Sequence, residues 1–116
     1  MTFTFKNALI ALSAALSAIA PQAAMANTTN WIVVHNITGG TISRVNFAET
    51  WSTDWGNDFL GSAYIGPNNQ YRFNVSSGSC VIDMRVHYTN NAEQTLRLDI
   101  CRSSHVDSQV NGLSAN

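Results

Sequence analysis

Two cysteines, Cys80 and Cys101, bracket two segments of alternating apolar and polar residues, and the phase of that alternation leaves the chain few ways to fold. Ile82, Met84, Val86 and Tyr88 follow Cys80 at every second position, and Leu96, Leu98 and Ile100 precede Cys101 in the same rhythm. A strand sends successive side chains to opposite faces, so a one-residue slip in pairing turns a whole apolar set outward. Pairing Ile82 with Leu98 and Met84 with Leu96 puts both sets on one side of an antiparallel hairpin. That register sets Asp83 opposite Arg97 on the outer face. It leaves Thr89-Asn90-Asn91 as a three-residue loop, with Asn91 the residue expected in the left-handed conformation. The competing register, with Cys80 directly across from Cys101 over a four-residue turn, would aim Leu96 and Leu98 to the side of Asp83 and Arg85. An exposed ion pair is worth at most about 1 kcal/mol, so the hydrophobic face decides. The preferred register then requires a bulge or bend near Cys101 to bring the two sulfurs together.

The first 26 residues predict an export tag. Lys6 supplies a positive start, Ala8 to Ala20 is uninterrupted and apolar, and Ala24-Met25-Ala26 offers the small-x-small pattern of signal peptidase cleavage. The apolar stretch is short of the roughly 20 residues of a bilayer crossing, and no second run follows, so no membrane span is expected after cleavage. With no twin arginine ahead of it, the tag predicts the general secretory route to a secreted or periplasmic location. An oxidising destination and an even cysteine count predict one disulfide, Cys80–Cys101. A mature chain of about 90 residues is small enough to need such a staple.

Loss of the tag removes Lys6 and leaves five arginines against seven carboxylates, a net charge of −2. Without a clustered basic footprint, nucleic acid and anionic membrane surfaces are excluded as expected partners. Strand signals recur along the chain, and no segment after the tag sustains a helical apolar period. Trp31 to Ile37 is apolar at most positions and predicts a strand covered on both faces. Ser43, Val45 and Phe47 alternate with Arg44 and Asn46; Tyr71, Phe73 and Val75 alternate with Arg72 and Asn74. Residues 103–106 suggest a short closing strand, and 107–116 reads as a polar C-terminal tail. The expected architecture is all-β: one domain over 27–106, a two-sheet antiparallel β-sandwich of about seven strands, Ig-like or C2-like, with one disulfide.

Several spacings together are similar to those of a family of small exported bacterial proteins to which no activity is assigned. They are Asn36-x-Thr38-Gly39-x-x-Ile42, Trp55-Gly56-Asn57-Asp58-x-Leu60-Gly61, Gly66-Pro67 before a strand, Cys80-x-x-Asp83-x-Arg85-Val86, and Leu98-x-x-Cys101. The resemblance covers Trp31 to about Val106. It departs at Thr89-Asn90-Asn91, where the family turn is acidic and contains glycine, and at Glu49-Thr50-Trp51-Ser52, where a Ser-Pro-Ser-like stretch is typical. It implies a secreted or periplasmic β-sandwich with one disulfide, and brings no catalytic residues.

Candidate chemistry gathers between Glu49 and Ile65. A solvated linker has no need of Trp51, Trp55 and Phe59, so this connection predicts a compact loop, with a helical turn near Asp58, whose aromatics cap one end of the core. If two tryptophans among Trp31, Trp51 and Trp55 are exposed together, they form a platform for a sugar or a partner; the small domain favours placing them inside. Asp54, Asn57 and Asp58 put three oxygen-bearing side chains in a glycine-containing loop, a set that calcium favours, although the spacing is not that of an EF-hand. The competing reading has Asp54 or Asp58 capping a turn. His35, His87 and His105 show no ligand spacing and are not expected to converge. No Gly-x-Ser-x-Gly elbow, phosphate-cradling loop or paired-carboxylate motif is present, which disfavours an enzyme. The expected role is a non-enzymatic module without a cofactor. It meets a protein or cell-envelope partner through Trp51, Trp55, Asp58 and Phe59, the alternative being a calcium- or small-ligand-binding domain built on residues 54–58.

Overall fold

The computed structural model describes residues 28–116, so the export tag lies outside the described residues. Seven strands follow in order: β1 (Thr28–Asn36), β2 (Ile42–Glu49), β3 (Gln70–Ser77), β4 (Val81–Tyr88), β5 (Glu93–Asp99), β6 (His105–Gln109) and β7 (Gly112–Ala115). They form a four-stranded sheet ordered β3-β1-β6-β7 and a three-stranded sheet ordered β2-β4-β5. The two sheets pack face to face, which is the sandwich predicted from the alternation. One pairing departs from an all-antiparallel arrangement: β6 runs parallel to β1, with Val34 opposite Val106 and His35 opposite Asp107.

The β4–β5 hairpin adopts the register set by its apolar face. Ile82 pairs with Leu98, Asp83 with Arg97, and Met84 with Leu96. Tyr88 N–H donates to Ala92 O at 2.8 Å, which closes the loop over residues 89–91, and Asn91 has φ 71°. At the open end Ile100 N–H donates to Cys80 O. The chain then bends: Asp99 O accepts from Arg102 and Ser103, and Asp99 Oδ1 accepts from Cys101 N–H. This bend turns Cys101 onto Cys80, and the disulfide forms over a Cα–Cα distance of 5.2 Å. The core between the sheets is built from Ile32, Val34, Val45, Phe73, Val75, Ile82, Met84, Val86, Leu98 and Val106, with Leu96 packed at its margin.

Three expectations give way. Among the described residues strand β1 is covered on one face only: Ile32, Val34 and Asn36 are buried, whereas Trp31 is 50% exposed. Its apolar run arises because Trp31 lies under the Arg72 guanidinium, 4.2 Å from the ring centroid, so a large apolar side chain finds a partner outside the core. Along β2 a register shift between Ile42 and Arg44 breaks the expected phase. Ile42, Val45 and Phe47 are buried, and the extra residue Ser43 donates its hydroxyl to His87 O at 3.3 Å. Residues 107–116 are not a tail. Strands β6 and β7 pair as a hairpin, Val106 with Ala115 and Ser108 with Leu113, and Val106 and Ser108 are fully buried. The polar composition hid this because buried Ser108 satisfies its hydroxyl on Gln94 Oε1 at 2.7 Å and on the Tyr88 hydroxyl.

Candidate interaction surface

Strand β2 is an edge strand, and the 50–65 connection exists in part to cover it. Ile65 exchanges backbone hydrogen bonds with Ile42, Phe59 N–H donates to Val45 O at 2.8 Å, and Val45 N–H donates to Asp58 Oδ1 at 3.1 Å. The same Asp58 oxygen accepts from Leu60 N–H, closing a turn that buries Leu60. Asp54 Oδ1 accepts from Gly56 N–H, and Gly56 sits at φ 70°, in the left-handed region that favours glycine. Asn46, buried on the outer face of β2, donates its amide to Asn57 O at 2.9 Å. The loop is therefore held along its length by side chains bonded to backbone.

Two of the three calcium candidates carry backbone bonds. Asp54 and Asp58 each hold backbone amides within the loop, as the capping reading has it.

The aromatics separate. Phe59 does cap the core: it packs edge-on against Phe47 with ring centroids 5.0 Å apart and against Phe73 at 6.4 Å. The tryptophans are not inside. The aliphatic side chains and phenylalanines already fill the space between the sheets, and Trp51 stands 80% exposed. Trp55 lies over the Arg85 guanidinium on the outer face of the three-stranded sheet, 4.9 Å from ring centroid to Cζ. Asn46 Oδ1 fixes that guanidinium from below, accepting from Nε at 3.3 Å and Nη2 at 3.2 Å. The aromatics are visible in the sequence, whereas Asn46 and Arg85 join the site only through the β2–β4 pairing that sets them opposite each other.

Trp55 forms one wall of an open depression of about 420 Å³ lined by Asp83, Thr95, Leu96 and Arg97. On its other side a smaller hollow of about 110 Å³ reaches Ser52, Thr53 and Asp54. The depression carries both charges, Arg97 donating from Nε to Asp83 Oδ1 at 2.9 Å; elsewhere on the same sheet Glu93 meets His87 Nδ1 at 2.9 Å and Arg85 at 3.9 Å. The hydrogen bond from His87, helped by the charge of Arg85, holds the Glu93 carboxyl below the usual carboxylate range. Beside the loop, Glu49 is lowered by the Gly78 N–H and the Ser77 hydroxyl, and through them it ties β2 to the β3–β4 turn.

The three histidines do not converge: His87 lies on this sheet, His35 and His105 on the other. No protein-family model, curated protein or solved structure matches the chain.

Proposed function

We propose that the protein is an exported, non-enzymatic binding module that meets a protein or cell-envelope partner through the tryptophan loop and the adjoining outer face of the β2-β4-β5 sheet. The observation that carries this reading is the 80% exposure of Trp51 on a loop whose backbone is pinned at Asp54, Asn57 and Asp58. A large aromatic held in water by a fixed backbone binds without the ordering cost of a mobile loop. On the same loop and the adjoining sheet face, Trp55, Arg97 and Asp83 supply a stacking face and both charges, a composition suited to polar contacts around an aromatic anchor. The disulfide fits an oxidising, extracytoplasmic location. No helix among the described residues is long and apolar enough to cross a membrane.

Burying an exposed tryptophan stabilises a complex by about 2 kcal/mol, so Trp51→Ala is expected to weaken partner binding about 30-fold while leaving the fold intact. The check is cross-linking of the mature protein to its neighbours in intact cells, followed by affinity measurement with the captured partner. Retention of full affinity in the folded Trp51→Ala, Trp55→Ala double variant would sink the reading.

A further inference from the structure

We propose that His35, His105 and Asp107 form a binding site for a divalent transition metal, with zinc as the reference ion, on the outer face of the four-stranded sheet. This site is independent of the tryptophan loop and lies on the opposite sheet. It is created by the parallel pairing of β1 with β6. His35 is the register partner of Asp107, and His105 sits two residues earlier on the same strand, so all three side chains leave the same face.

Their ligand atoms lie within 4.8 Å of one another. His105 Nε2 stands 2.9 Å from Asp107 Oδ1, and His35 Nδ1 stands 3.7 Å from the same oxygen. Zinc bonds of about 2.0–2.1 Å place tetrahedral ligands about 3.3 Å apart, and the two distances bracket that edge. The two histidine nitrogens lie within 4.8 Å of each other, so admitting the ion requires the imidazoles to turn toward a common point.

The surroundings suit the role. Asn116 Nδ2 donates to Asp107 Oδ2 at 3.0 Å, which orients the carboxylate and leaves Oδ1 facing the histidines, as the outer partners of metal ligands commonly do. The side chains are 33% (His35), 37% (His105) and 19% (Asp107) exposed, so an ion enters from solvent and a fourth position remains open. Two imidazoles and one carboxylate select zinc, copper(II) or nickel over calcium and magnesium, which take oxygen. The other convergent group, Cys80, Asp99 and Cys101, is not a competitor, because its sulfurs are spent in the disulfide. Since the ion joins β1 to β6, it ties the two ends of the described chain together and stabilises the folded state by mass action.

The test is zinc alone titrated into the disulfide-bonded mature protein at neutral pH, followed by calorimetry, by the ring resonances of the three histidines and by melting temperature. Expected are one ion per chain, shifts at His35 and His105 but not at His87, and a melting temperature that rises with zinc. His35→Ala and Asp107→Asn should each weaken binding at least tenfold, Asn116→Ala should weaken it 10- to 100-fold through orientation of the carboxylate, and His87→Ala should leave it unchanged. Because these side chains face solvent, the variants are expected to fold; the wild-type histidine resonances decide the question even if one does not. Absence of one-to-one binding up to millimolar zinc, or binding that survives the His35→Ala, His105→Ala double variant, overturns the proposal.

Discussion

Removing the Asn36 side chain should cost more than any other single polar truncation in this domain, and the size of the loss follows from its bonds. Asn36 is fully buried at the end of β1. Its amide nitrogen donates to Gly40 O at 2.8 Å, Ile65 O at 3.0 Å and Gly66 O at 3.1 Å, and its oxygen accepts from Thr38 N–H at 3.0 Å and the Thr38 hydroxyl at 2.6 Å. The side chain thereby fastens both the β1–β2 turn and the segment that enters β3. Two donated protons and two accepted bonds, at about 1 kcal/mol each, make Asn36→Ala destabilising by about 4 kcal/mol. That is a large share of the roughly 4–13 kcal/mol expected for a domain of this size. Asn36→Asp keeps the shape but turns an acceptor toward three carbonyl oxygens and buries an unpaired charge. The introduced carboxyl would titrate higher in the folded than in the unfolded chain. Its deficit is therefore smallest below about pH 4 and grows as pH rises through the folded value. Urea unfolding at pH 7 and pH 4 measures both variants, read as midpoint shifts at constant slope. A cost below about 1 kcal/mol for Asn36→Ala, or wild-type stability of Asn36→Asp at pH 7, would refute the reasoning.

Replacing both Cys80 and Cys101 by alanine opens a loop with a sequence separation of 21 and should cost roughly 3 kcal/mol on the chain-entropy model, measured by the same urea titration with the wild-type protein reduced as a second reference. Glu49 is lowered below its ordinary value of 4.5 in the folded state, so its stabilisation is present above that value and is lost as pH falls through the folded one. Glu49→Gln should therefore lose no more than about 1 kcal/mol at pH 7, given its partial exposure, and show a shallower acid loss between pH 5 and pH 3 than the wild type; equal acid slopes would argue against the role of the carboxylate.

What the sequence disclosed and what it concealed divide along physical lines. The β4–β5 hairpin was legible to the residue because one buried face admits a single register, and Asn91 was legible because few side chains tolerate a positive φ. The β6–β7 hairpin was not, since its pattern rests on buried Ser108 and on a parallel partner about 70 residues away, neither of which leaves a local periodicity. The tryptophans announced themselves, while the arginines that partner two of them outside the core, Arg85 at Trp55 in the loop and Arg72 at Trp31 on β1, depend on which strands become neighbours. The histidine–aspartate cluster was hidden by the same tertiary fact: His105-x-Asp107 is a two-residue strand spacing, but it acquires His35 only through the parallel register.

That register also dictates when the molecule can finish folding. Strand β1 finds β3 on one side; its other side stays open until β6, about 70 residues further along the chain, comes to pair with it. Until that non-local contact closes, Ile32 and Val34 lack one flanking strand, and the barrier to compaction persists. A sheet completed by its most distant pairing stays pliable until that one contact forms, and locks only then.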